Sequence, residues 1–246
     1  MTPPAWAEEV REAATQTLSS LPALTGREED WRFTPPGDLA LEGPEPEAPG
    51  AAGPPPAPPE GERAARLELV DGRAAEPVLG DLPDGVFVGE LGAALEEHEA
   101  LVRERLYSLI GFDDKPGALN AARWDAGTFV YVPRGADVAL PVETVLAATG
   151  ARGRVFGRSL IVVEEGARAT VIDRFVSPDL GGPMQASTAV ELFVGQGGEL
   201  EHVSVVGWGA GVRHHALLRA SVGRDARARS VVVTLGGEVV RVEPTM

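Results

Sequence analysis

The sequence has 246 residues, 43% of them hydrophobic, a formal net charge of −15 and no cysteine. That length suits one large domain or two small ones, and the acidity argues against nucleic acid, whose phosphates the chain would repel. Without cysteine there is no disulfide, no thiolate nucleophile and no cysteine-ligated metal site.

Residues 1–42 form an N-terminal helical segment. Pro3 and Pro4 precede a stretch, residues 5–20, in which Trp6, Val10, Ala13, Ala14 and Leu18 recur at helical spacing. This start has no basic region followed by an apolar one, as a secretory signal would, and no run reaches the roughly 18 apolar residues of a membrane span. A cytoplasmic chain without membrane contact is expected. Trp31 and Phe33 stand two apart, and both are expected to anchor their segment to a core. Residues 43–61 hold eight prolines with glycine, alanine and glutamate, which fits an extended, mostly disordered linker and neither a ladder nor a helix.

Residues 62–120 read as an α+β cap region. Residues 66–70 and 85–88 are short strand candidates, and one helix is expected from Leu91 to Ile110, with Gly111 as its C-cap. His98 falls on or beside the apolar face of that helix, as a packed side chain.

From Ala121 the helical period is lost and glycine-broken strands repeat. Four stretches carry a β-rich run, a two-residue break, a turn residue and a second run; the turn residues are Gly135, Gly166, Gly197 and Asp225, spaced 31, 31 and 28 apart. A regular interval of this size marks a repeat architecture, and Gly or Asp tolerates the left-handed backbone of a sharp corner. Residues 121–246 are therefore expected to stack as a parallel β-helix, mainly β after an N-terminal α region. An antiparallel sandwich with similar hairpins is the competing arrangement. The chain stops inside the repeats and leaves an uncapped edge, so it is expected to be a fragment or to pair with another chain, a paralogue or a second copy.

Little in the sequence points to bond chemistry. There is no phosphate-binding glycine loop and no nucleophile elbow, and four histidines give a Ser-His-Asp triad little support. No catalytic residue and no metal site is assigned. His214 and His215 are the candidates for contact with a partner or a metal, although neighbours on a strand face opposite ways and cannot easily hold one ion. Asp137, Asp173 and Asp225 lie at different phases of the repeat, unlike the clustered carboxylates of a solenoid acting on polysaccharide, which is the enzyme alternative.

Several segments together resemble the SufB/SufD family. They are residues 116–124 leading into 127–135, residues 159–167, and the run from Trp208 through 219–226 to 234–237. Residues 31–34 (Trp-Arg-Phe-Thr), close behind a Leu-Pro, resemble the N-terminus of the SufD branch. The resemblance implies a right-handed parallel β-helix between helical regions. It implies a non-catalytic scaffold subunit that pairs with a SufB-like paralogue and a SufC-like ATPase during iron–sulfur cluster assembly. Cluster and ATP would then sit on other subunits, with no cofactor in this chain. The family's later coils and C-terminal helices have no counterpart here, so none of its functional residues is carried over.

Overall fold

The computed structural model describes residues 3–41, 45–57 and 59–245. Helix α1 (Ala5–Ser20) begins behind Pro4 and ends at Leu21, whose extended ψ of 140° suits a residue before proline. It packs against a helix further along the chain, described below as α4, with Ala14 fully buried in the contact. Trp31 is buried as expected, but Phe33 is 88% exposed. A 3-10 turn at Glu29–Trp31 directs the first ring inward, and the chain leaves the surface again at Pro36 and Leu39.

Within the proline-rich stretch, Gly43, Pro44 and Pro58 lie outside the described residues. Residues 45–52 form neither helix nor strand, as their composition requires, and they lie against the coil: Ala52 N–H donates to the Thr149 carbonyl at 2.9 Å, and Glu45 pairs with Arg154 at 3.1 Å. The Pro46 carbonyl comes so close to Gly153 that a Cβ there would overlap it.

Strands β1 (Ala65–Val70), β2 (Arg73–Ala74), β3 (Val78–Leu79) and β4 (Phe87–Glu90) follow. In place of one helix over 91–110 there are two, α2 (Leu91–Glu97) and α3 (Glu99–Arg105). His98 breaks them apart with φ −128° and ψ 33°, its ring wedged 4.2 Å from Phe87 and 5.7 Å from Phe129 between centroids. Beyond Arg105 the chain turns at Tyr107 (φ +69°) and wraps a carboxylate from the coil, so Gly111 caps nothing. A short helix that the apolar pattern does not announce, α4 (Lys115–Arg123), starts where the Asp114 side chain accepts the Gly117 N–H at 2.7 Å, with Pro116 in its first turn.

The rest is a solenoid of about four turns. One sheet stacks β5 (Ala126–Val132), β7 (Arg154–Val163), β9 (Met184–Val194), β11 (Val212–Val222) and β13 (Val239–Thr245), all parallel. The other stacks β6 (Val142–Ala147), β8 (Arg168–Val176), β10 (Glu199–Gly207) and β12 (Arg227–Thr234), with β1 parallel to β6 at its start. Strand β4 closes the same end of the first sheet by pairing antiparallel with β5. The four corner residues do share one line: Gly135, Gly166, Gly197 and Asp225 have φ of +72°, +66°, +65° and +57°. The amides of the first three donate in turn to the carbonyls of Glu165, Gln196 and Arg224, each at 2.9 Å. The antiparallel sandwich is excluded.

Alternation then sorts the side chains. On β8, Ala169, Val171, Asp173 and Phe175 face the lumen between the sheets, while Arg168, Thr170, Ile172 and Arg174 face out. The outer face of the β5–β13 sheet is covered: Phe129, Phe156, Leu160 and Val162 meet Leu91, Leu95, Val102 and Leu119 from the helices and Trp31 and Leu39 from the N-terminal segment.

Candidate functional site

Two polar arrays stand out among the buried polar residues of the coil. The first lies under the helices. Arg158 of β7 and Glu191 of β9 pair at 2.8 Å, with both side chains at 0% exposure. The Glu191 carboxylate also accepts three backbone amides: Tyr107 at 3.1 Å on one oxygen, Leu109 at 3.0 Å and Ile110 at 3.1 Å on the other. Arg158 donates to the Ile110 carbonyl at 2.5 Å and to Asn120 Oδ1 at 3.1 Å, and stacks 4.2 Å over the Tyr107 ring. Asn120 in turn donates to the Gly157 carbonyl at 3.1 Å. The array ties the turn after α3, helix α4 and two coils together. Pairing, with further hydrogen bonds to both partners, is the form in which charge survives burial.

The second array lies in the lumen, along the β6–β12 sheet. Thr144 donates to Asp173 Oδ1 at 2.5 Å, Asp173 Oδ2 meets His202 Nε2 at 3.0 Å, and His202 Nδ1 meets Ser230 Oγ at 3.0 Å. Asp173 and His202 are buried, and Ser230 is partly exposed. The row crosses four successive coils. Sequence reading missed it, although a signal was present: Asp173, His202 and Ser230 are 29 and 28 residues apart, close to the coil repeat.

The two candidate histidines point apart, as neighbours on β11 must. His214 faces the lumen, 2.8 Å from Thr188 Oγ1 and beside Phe175 and Trp208. Burial, and then the charge on His215, push its pKa down to about 3, so it is neutral at ordinary pH. His215 faces outward beneath the N-terminal segment, 2.8 Å from Glu243 Oε1 and 5.6 Å from the Trp31 ring. Burial alone would raise the Glu243 pKa, but hydrogen bonds and charge from His215 and Arg241 outweigh it and bring it down to about 2. Arg241 also lies 4.2 Å over Trp31. His215 therefore serves to hold the N-terminal segment on the last coils, and the structure does not bring the two histidines to one point.

Among the described residues no three His, Cys, Asp or Glu are grouped to hold a metal ion. An iron–sulfur cluster would find no thiolate in this sequence, and the residues present do not fit one as a resident group. Asp137 and Asp225 stand on the corner line in different coils and Asp173 is in the lumen, so the three do not converge. The Gly207–Gly211 stretch is a corner between β10 and β11, with Trp208 buried in the core beneath it.

Residues 146–246 match the family model described as "SUF system FeS cluster assembly, SufBD core domain". The similarity is to the SufB/SufD family. Relatives include an iron–sulfur cluster assembly SufBD family protein of Staphylococcus epidermidis, 26% identical over 161 residues that make up 65% of this chain and 35% of the relative. The iron–sulfur cluster assembly protein SufB of Bacillus subtilis is 27% identical over the same shares of both chains. The chloroplastic SufBD family protein ABCI8 of Arabidopsis thaliana is 29% identical over 128 residues, 52% of this chain and 23% of the relative. The chain thus spans about a third of the length of these SufB/SufD relatives. The SufBD core match covers the coils from late β6 onward, the part that carries His202, His214 and Ser230. These comparisons do not favour a polysaccharide enzyme.

Proposed function

We propose that this chain is a scaffold subunit in iron–sulfur cluster assembly, of the SufD rather than the SufB kind, working in the cytoplasm beside a SufB-like paralogue and a SufC-like ATPase. The observation that carries this reading is a coil matching the SufBD core that offers a cluster no thiolate ligands. In this reading the cluster is cargo assembled on the paralogue and ATP is bound by the ATPase. This chain supplies surface and stiffness. No helix among the described residues is long and apolar enough to cross a membrane, which is compatible with such a complex.

The test is co-expression with a SufB-type and a SufC-type protein from the same genome, followed by affinity capture and size exclusion. A stoichiometric complex is expected. Elution of all three as separate species would overturn the reading.

A further inference from the structure

Residues 45–52 form a strap that fills a seat shaped for it. The seat lies at the corners that join β6 to β7 and β8 to β9. At Gly153 a Cβ would meet the Pro46 carbonyl and then the Glu47 carbonyl carbon, both belonging to the strap. At Gly150 it would stand 2.6 Å from the Gly50 carbonyl oxygen, and at Gly182 it would touch Pro49 at 3.4 Å. Corner glycines of the later coils differ: Gly209, Gly211 and Gly236 make room for the backbone of the preceding coil, at Pro178, Gly182 and Trp208. Gly153 makes room for the strap. Arg154 completes the seat. Its guanidinium lies 5.4 Å over the Phe156 ring, which orients it, and it pairs with Glu45 at 3.1 Å.

The seat is well formed, yet the strap is held lightly. Pro46 and Pro49 have no N–H to donate. Among the described residues the Ala52 amide makes the one backbone bond between strap and coil, to Thr149 at 2.9 Å. The Glu45 side chain is 43% exposed, so water screens its pair with Arg154. Pro46 and Pro49 are half-buried, whereas Glu47 and Ala48 between them are exposed. Three residues is the spacing at which a polyproline II segment shows one face. We propose that this seat is a groove for peptides of the pattern acidic-Pro-x-x-Pro, and that residues 45–52 occupy it in cis as a built-in competitor. Arg154 reads the acidic residue, and the glycine corners admit the backbone at the two prolines. A partner segment of that chemistry enters only as the strap leaves, so its apparent affinity falls with the fraction of chains whose groove is open. The prolines of such a peptide are already ordered before binding, which suits a shallow groove with few hydrogen bonds.

This inference stands apart from the scaffold reading, because its test uses this chain alone. In a relieved variant, residues 45–52 are replaced by glycine and serine at the same length. The probe is a fluorescein-labelled peptide with the sequence of that segment, Glu-Pro-Glu-Ala-Pro-Gly-Ala-Ala, and fluorescence polarisation reads its binding. Saturable binding to the relieved variant is expected, about ten-fold or more tighter than to the wild-type chain, where the strap competes. Adding Gly153→Ala to the relieved variant should abolish binding, and Glu45→Lys in the peptide should weaken it several-fold. Circular dichroism checks that each variant is folded. Should the relieved variant not fold, amide exchange in the wild-type chain decides. The Ala52 N–H should then exchange about a hundred-fold faster than the Gln185 N–H, which the Gly153 carbonyl accepts at 3.0 Å on the same corner. The proposal is overturned by absence of saturable binding to a folded relieved variant or by equal affinity for the wild-type chain. Binding undiminished by Gly153→Ala or by the lysine peptide, or equal exchange of the two amides, overturns it as well.

Discussion

Replacing Glu191 by glutamine changes one atom and tests the array under the helices. The carboxylate serves two sets of donors: one oxygen takes the amides of Leu109 and Ile110, and the other takes Tyr107 N–H and Arg158. Glutamine has one acceptor oxygen, so whichever way its amide turns, an NH2 faces donors on the other side. The loss includes at least one buried N–H without a partner, at about 1–3 kcal/mol, and a buried Arg158 charge without its counter-charge. Together these place the cost of Glu191→Gln at about 3–5 kcal/mol, the range for breaking a buried pair from one side. Against a typical total of about 5–15 kcal/mol the change is large. Urea unfolding followed by tryptophan fluorescence measures it, and amide exchange at Tyr107, Leu109 and Ile110 localises it. The double variant Arg158→Met with Glu191→Met removes both charges and should recover most of the loss. A cost below about 1 kcal/mol for Glu191→Gln, with those amides still protected, would refute the reasoning.

Gly153→Ala places a methyl group against the Pro46 carbonyl and should lift residues 45–52 from the coil while leaving the coil intact. Limited proteolysis should then cut between 45 and 57 several-fold faster than in the wild type, and an unchanged rate would argue against a seated strap. Acid lability has two separable sources. His214 stays neutral in the folded chain down to about 3, whereas its unfolded value is near 6.5, so the unfolded state binds the extra proton between them and stability falls as pH drops through that window. Glu243 is held near 2 against an ordinary 4.5, so its contribution is complete above about 4.5 and fades as pH falls toward 2. His214→Phe should flatten the upper part of an acid unfolding curve and Glu243→Gln the lower part.

The coil was legible because each corner needs a left-handed residue, and such residues are conspicuous between strands. Gly135, Gly166, Gly197 and Asp225 stood out for that reason, and the parallel registers follow their spacing. The helical region was read less well where tertiary contacts override local pattern. The apolar stripe from Leu91 runs on past His98, but the helix breaks there because the His98 ring packs between Phe87 and Phe129. Phe33 was assigned to a core because large rings usually seek one, yet Trp31 fills the available place. The pairing of Arg158 with Glu191 had no local signal at all. It exists because the coil stacks β7 on β9 and residues 107–110 pass over both.

Both polar arrays join neighbouring coils, and this suggests why they persist in a fold that could be built from valine and isoleucine. In a parallel stack, sliding one coil by two residues preserves inward and outward facing, so apolar rows alone distinguish the correct register weakly. Asp173 can meet His202, and His202 can meet Ser230, only when β8, β10 and β12 are in their observed register. Arg158 and Glu191 impose the same condition on β7 and β9, and through Ile110 on the turn above them. A slipped coil would leave a buried charge unpaired, at a cost of several kcal/mol. The charges thus penalise wrong stackings more than they stabilise the right one, and they do so on both walls of the coil, from β6 to β12 on one and from β7 to β9 on the other.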